Sequence, residues 1–191
     1  MIIIDRALPV LALQAFQPWR ASESLLAEAA LVTPSALRVT SPAFGEGRPL
    51  PSKYASAGGQ NVSPPLAWSG VPAATRELAL ICEDADAPLS LCPFVHWTMY
   101  RISPSLRALP EAAALGGGPA GAVQGTNSLH KDGYVGPAPP RGRGRHHYHF
   151  QLFALGAPLD LGPRADRDAL VGAMRWRVLA MGELVGTYER A

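Results

Sequence analysis

Residues 78–88 of the 191-residue chain read LALICEDADAP. Its first five residues are all apolar, which is typical of a strand buried in a sheet. The strand would deliver two carboxylates, Asp84 and Asp86, to the rim of that sheet. Acids at such a rim either form a turn or contribute to a site, and their spacing alone does not decide between the two.

A second strand is predicted over residues 94–102, beginning eight residues after Asp86. Because side chains alternate along a strand, one face would carry Phe94, His96, Thr98 and Tyr100, and the other Val95, Trp97 and Met99. The first of these faces brings a histidine toward the two acids.

A third strand is predicted in residues 144–153, GRHHYHFQLF. The same alternation groups His146 and Tyr148 with the apolar Phe150 and Leu152, so this face should point inward. His147, His149 and Gln151 would face the other way. The sequence therefore predicts that two acids, two histidines and a tyrosine converge.

Four motifs resemble the phosphatidylethanolamine-binding protein family, in its bacterial YbhB/YbcL-like branch. They are the Asp-x-Asp-x-Pro segment with the downstream His96-Trp97 pair, the run at 133–140 (GYVGPAPP), the Gly-x-His-x-Tyr-x-Phe segment at 144–150, and NVSPPLAW at 61–68. The resemblance covers about residues 38–188. One departure is His147, where that family usually has an arginine.

The resemblance implies a mainly β fold of two antiparallel sheets around a small ligand pocket. Carried onto this sequence, the binding residues would be Asp84, Asp86, Pro88, His96, Gly136, Ala138, Pro140, His146 and Tyr148. Histidine and tyrosine donate to phosphate or carboxylate oxygens, whereas carboxylates accept from an ammonium. The expected ligand is therefore anionic or zwitterionic, bearing phosphate in the manner of phosphoethanolamine.

Two other functions stay open at this point. Members of the family are known as kinase or protease regulators, so an unidentified protein partner is one alternative, and the Arg141, Arg143 and Arg145 cluster is its natural contact. The other is an enzyme, because acids and histidines in a pocket can transfer protons. The same residues include metal-ligand types, yet we expect neither a metal nor a cofactor.

Composition limits the function further. With 48% hydrophobic and 17% charged residues, the chain is typical of a folded globular protein. A net charge of +2 and scattered arginines without a recognition module argue against nucleic-acid binding. No segment is apolar enough to span a membrane. Cys82 and Cys92 are expected to be free thiols, which favours the cytoplasm.

Residues 1–36 are predicted to form short helices packed on a domain that spans 37–191. A C-terminal helix is predicted from Arg164 onwards, because Leu170, Met174, Val178, Met181 and Val185 recur every three or four residues before Gly186. These helices offer more apolar surface than the sheet needs, so the sequence also predicts a homodimer.

Overall fold

A computed structural model of the chain describes residues 37–87 and 93–190. These residues form nine strands, one α-helix and two short 3-10 turns. The strands are β1 Arg38–Thr40, β2 Arg48–Pro49, β3 Leu66–Ser69, β4 Glu77–Asp84, β5 Phe94–Ile102, β6 Ala108–Leu109, β7 Val123–Gln124, β8 His146–Leu155 and β9 Val178–Tyr188. Helix α1 is Arg167–Met174, and the turns are Ser52–Tyr54 and Leu115–Gly117.

The strands build two sheets. The larger sheet has the order β2-β9-β8-β4-β5-β7, and the smaller has the order β1-β3-β6. All pairings are antiparallel except that of β2 with β9. The predicted fold class, mainly β with two sheets and a helix late in the chain, is therefore confirmed.

The main core lies between the two sheets. The smaller sheet contributes Val39, Leu66 and Trp68, which pack against apolar side chains of β4, β5, β8 and β9. The sheets approach so closely that a Cβ on Gly182 would lie 2.0 Å from the Leu37 carbonyl oxygen. Only glycine fits at that crossing, because any larger side chain would overlap the backbone.

A second core lies on the opposite face of the larger sheet. Helix α1 begins at the N-cap Asp166, whose carboxylate accepts from the backbone N–H of Ala169. It buries Leu170, Val171 and Met174 against the sheet residues Ile81 and Phe153. The larger sheet is consequently covered on both faces over part of its area.

The predicted C-terminal helix is wrong beyond Met174. Helix α1 ends there, and Val178, Met181 and Val185 belong to β9 instead. In that strand alternate residues are buried, from Val178 through Ala180 and Gly182 to Leu184. The inward positions Ala180 and Gly182 give little hydrophobic signal, so the alternating pattern of a strand is not visible in the sequence. The larger side chains of β9 also fit a helical spacing.

Several predictions concern parts of the chain outside the described residues. The N-terminal helices fall in residues 1–36, and both Pro88 and Cys92 fall in residues 88–92. The homodimer stays a prediction, although one reason for it has gone: Leu170, Met174 and Val178 are buried within the chain itself. Cys82 is a buried free thiol, and burial raises its pKa well above the ordinary value.

Candidate functional site

A cavity of about 310 Å³ opens where three neighbouring strands of the larger sheet begin or end. Asp84 closes β4, Phe94 and His96 lie at the start of β5, and His146 opens β8. Because these strands are antiparallel neighbours, this end of each strand meets at one edge. The complete lining is Ser56, Asp84, Ala87, Phe94, His96, Leu129, Val135, Gly136, Ala138, Pro139, Pro140 and His146.

A β-bulge brings His96 to this cavity. Cys82 pairs with Trp97 but Glu83 pairs with Val95, so His96 is an extra residue on β5. His96 and Trp97 consequently lie on the same side of the sheet, and the strict alternation predicted for β5 is wrong beyond His96. Thr98 and Tyr100 face α1, where Tyr100 joins the second core.

Asp84 and His146 form a buried pair at the floor of the cavity. His146 Nδ1–H donates to Asp84 Oδ2 at 2.7 Å, and both residues are 4% exposed. The second carboxylate oxygen, Oδ1, accepts from the backbone N–H of Asp86 at 2.8 Å. With Nδ1 engaged, the other ring nitrogen of His146, Nε2, can serve a ligand in the cavity.

His96 is held in a defined tautomer. The Val135 carbonyl can only accept, so the 2.6 Å contact means that His96 Nδ1–H donates and Nε2 carries the lone pair when the ring is neutral. The ring packs edge-on to Tyr148, with centroids 5.0 Å apart. Burial lowers the pKa of His96 to about 4, outweighing the Val135 hydrogen bond and the Asp84 charge, which act to raise it.

Tyr148 lies beneath the floor rather than on its surface. It is 1% exposed, and within the described part of the chain its hydroxyl oxygen has no hydrogen-bond partner. Burial, followed by the negative charge of Asp84, raises the pKa of Tyr148 well above its ordinary value. The hydroxyl therefore stays protonated and can donate to the Asp84 carboxylate.

Asp86 has a different surrounding from Asp84. Its Oδ2 accepts from both the backbone N–H and the Nδ1–H of His147, at 2.8 and 2.7 Å. His147 faces away from the cavity, as alternation in β8 predicted, and Asp86 does not belong to the cavity lining. His149, also on the outer face, pairs with Glu183 at 3.0 Å.

One wall of the cavity is the run at 133–140, which supplies Gly136, Ala138 and Pro140 from the predicted binding residues. Gly136 N–H donates to Asn61 Oδ1 at 2.7 Å. A Cβ on Gly136 would lie 2.0 Å from the Tyr54 carbonyl oxygen, so this wall docks directly on the backbone at 54–56. Ser56 completes that contact by donating from its hydroxyl to the Gly136 carbonyl at 2.9 Å.

Sequence reasoning missed two asparagines that position the walls. Asn61 has a positive φ of 54°, which suits a turn, and its side chain also anchors Gly136. Asn127 is buried, donates to the Gly133 carbonyl and accepts from the Leu129 N–H, thereby holding the loop that carries Leu129. In the sequence Asn61 begins Asn-Val-Ser-Pro and Asn127 directly precedes Ser128, and neither pattern reveals a long-range partner.

The cavity has a polar floor and an apolar wall. Asp84, His96 and His146 form the floor, whereas Phe94, Leu129, Val135 and the prolines form the sides. Among residues 37–87 and 93–190, no cluster of three or more histidine, cysteine or acidic side chains could hold a metal ion. In the same ranges no helix is long and apolar enough to cross a membrane.

Comparison with known proteins gives consistent matches. A family model described as phosphatidylethanolamine-binding protein matches residues 40–189. A UPF0098 protein of Methanothermobacter thermautotrophicus is 42% identical over 152 residues, which are 78% of this chain and 95% of the relative. The crystal structure of a phosphatidylethanolamine-binding protein homolog from Chlamydia trachomatis is 38% identical, with a TM-score of 0.73, and covers 82% of this chain and 99% of its own. The crystal structure of Escherichia coli YbcL, described as a member of the mammalian phosphatidylethanolamine-binding protein family, is 31% identical, with a TM-score of 0.77. The match covers 82% of this chain and 100% of the YbcL chain.

Proposed function

The chain belongs to the phosphatidylethanolamine-binding protein family, and we propose that its pocket binds a small anionic or zwitterionic molecule that carries a phosphate group. The observation that carries this proposal is the Asp84–His146 pair beneath a cavity of about 310 Å³. Asp84 fixes the His146 ring through Nδ1–H, which leaves Nε2 for the ligand, and Nε2–H of a protonated ring would be a charged donor. A phosphate oxygen is a strong acceptor for such a donor.

The cavity walls limit the rest of the ligand. They are formed largely by Phe94, Leu129 and Val135 together with the prolines, so the part of the ligand next to the phosphate should be short and apolar. Asp84 can still take part in binding an ammonium, because each carboxylate oxygen has a second lone pair besides the one used by His146 or Asp86. A phosphoethanolamine-like zwitterion satisfies both requirements.

Proton uptake should accompany binding. Burial keeps His96 neutral, with an unprotonated Nε2 beside the floor. A phosphate that retains its own proton can donate to this nitrogen, and a fully ionised phosphate would instead draw a proton onto His96 by raising its pKa. Both cases give the same complex, which holds one proton more than neutral His96 and a fully ionised phosphate, so affinity should weaken once the pH rises above the second pKa of the phosphate.

Isothermal titration calorimetry with phosphoethanolamine tests the proposal. His146→Gln removes the imidazole that bonds the phosphate, and we expect a loss of affinity of about tenfold or more, which is typical of one hydrogen bond to a charged group. His147→Gln is the matched control, since it makes the same change one residue further along the strand on the outer face. Wild-type protein that binds no ligand at millimolar concentration, or equal losses in the two variants, would contradict the proposal.

Three further residues stay predicted binding residues: Asp86, Pro88 and Tyr148. Their contribution to affinity can be measured by the same titration on variants at these positions. A regulatory protein partner and acid–base catalysis also stay predictions. The pocket proposal needs neither of them, because it depends only on the floor and walls of the cavity.

A further inference from the structure

A second cleft of about 320 Å³ lies beside the pocket. It is lined by Ala57, Gly58, Arg141, Tyr188, Glu189 and Arg190. Its two arginines come from distant parts of the sequence: Arg141 follows the proline wall of the pocket, and Arg190 follows the end of β9. The fold therefore brings two guanidinium groups to one concave surface.

The pocket and the cleft share a wall. Ser56 and Pro140 line the pocket, whereas their chain neighbours Ala57 and Arg141 line the cleft. The two segments are also joined, because the backbone N–H groups of Ser56 and Ala57 both donate to the Pro137 carbonyl, at 3.1 and 3.4 Å. A molecule seated in the pocket has only this two-segment rim between it and the arginines.

The cleft carries a net positive charge. Across the described ranges, Arg141 and Arg190 form no ion pair with a carboxylate, whereas Arg164 pairs with Asp132 at 2.9 Å. The Arg190 guanidinium contacts the Pro139 carbonyl at 3.4 Å, which is long for a hydrogen bond. Glu189 also lines the cleft, so two arginines face one glutamate and the balance is positive.

The turn that carries Arg141 is exposed and contains two glycines in the left-handed conformation. Gly142 and Gly144 separate Arg141, Arg143 and Arg145, and these glycines have positive φ angles of 69° and 85°. A Cβ at either glycine would meet nothing within 4 Å. Glycine is therefore favoured at these two positions by the left-handed backbone conformation and not by a lack of space. All three arginines are exposed, which adds positive potential around the cleft.

We propose that Arg141 and Arg190 bind a second anionic group of the same ligand, which makes the pocket and cleft together a site for a molecule with two phosphate, phosphonate or carboxylate groups. This inference rests on the proposed function of the pocket. Guanidinium groups pair with such anions through two parallel hydrogen bonds. Once the first group is seated, the second is held near the arginines at high effective concentration, provided that the linker spans the rim.

The test uses alkyl phosphonates titrated by calorimetry. A series of α,ω-bisphosphonates of increasing chain length is compared with monophosphonates of equal length. We expect one intermediate length to bind at least about tenfold more tightly than its monophosphonate. The double variant R141Q/R190Q should lose that gain while keeping the monophosphonate affinity, which also shows that its pocket is folded.

The double variant R38Q/R175Q is the matched control, since both of its arginines are exposed and lie outside the pocket and the cleft. Equal losses in the two double variants would overturn the inference in favour of general charge attraction. Monophosphonate binding with no gain for any bisphosphonate would overturn the inference alone and leave the proposed function standing. Wild-type protein that binds neither class would overturn both.

Discussion

Single residues decide which side of the larger sheet receives each functional group. Glu83 and Asp84 are consecutive in β4, yet Glu83 bonds to Arg167 of α1 and Asp84 bonds to His146 in the pocket. His146 and His147 are also consecutive and lie on opposite faces, because His146 bonds to Asp84 in the pocket and His147 bonds to Asp86 on the outer face. Alternation predicted which residues of β8 share a face. It could not predict that Asp86 would bond to His147 on the outer face instead of joining Asp84 in the pocket.

His96 gives a prediction about stability and pH. Its pKa is about 4 in the folded protein, mainly because of burial, and the ordinary value is 6.5. Between these two values the unfolded chain binds a proton that the folded chain does not, so acid favours unfolding. The free energy of unfolding should therefore fall as the pH drops from about 6.5 to 4, by up to about 3 kcal/mol from this group.

Urea denaturation across this pH range measures the effect. His96→Gln should reduce the fall, because glutamine does not titrate, and the difference between the two curves isolates His96 from the carboxylates. His130→Gln, in an exposed loop, is the control and should follow the wild-type curve. Parallel curves for wild type and His96→Gln would contradict a depressed histidine pKa.

At the scale of elements, the strands were predictable wherever apolar runs or clear alternation marked them. The predicted segments around β4, β5 and β8 agree closely with the observed strands. The bulge at His96 was not predictable, because it depends on the pairing of β5 with β4 and not on β5 alone. Strand β9 was missed because its inward residues include Gly182 and Gly186, which carry no hydrophobic signal.

The wall at 133–140 gives a prediction at the same scale. Gly136→Ala would put a methyl group 2.0 Å from the Tyr54 carbonyl oxygen, so the wall must move away from the segment that it docks on. We expect destabilisation of about 1–3 kcal/mol, the usual cost of overpacking, together with weaker ligand binding. Gly162→Ala is the control, because a Cβ there meets nothing within 4 Å. Thermal unfolding of the two variants checks this, and equal stability would mean that the wall is not tightly docked.

At the scale of the whole molecule, the two faces of the larger sheet have different roles. One face of β4 and β8 supplies the floor of the pocket, and the other packs against α1. Glu83 lies on the face that packs against the helix, where it is 2% exposed and its Oε1 accepts from Arg167 Nε at 3.0 Å. Burial raises the pKa of Glu83 and outweighs the charge of Arg167, which lowers it, so Arg167 opposes the protonation of a carboxylate that lies directly behind the pocket acid.

Loss of the Glu83–Arg167 ion pair should destabilise the protein to an extent that depends on pH. Arg167→Met leaves the Glu83 carboxylate buried without this partner, so its folded pKa should rise further above the ordinary 4.5. A carboxyl group whose pKa is raised on folding costs no stability at a pH below the pKa that it has in the unfolded chain. The loss of stability grows as the pH rises from that pKa to the pKa in the folded protein, and it is complete above the latter. The variant should therefore lose about 3–5 kcal/mol near neutral pH and less near pH 5, as measured by urea denaturation. In E83Q/R167M this pH dependence should disappear, and the exposed control Arg175→Met should show little loss at any pH. A loss in Arg167→Met that stays constant with pH would mean that Glu83 is not the group that Arg167 holds ionised.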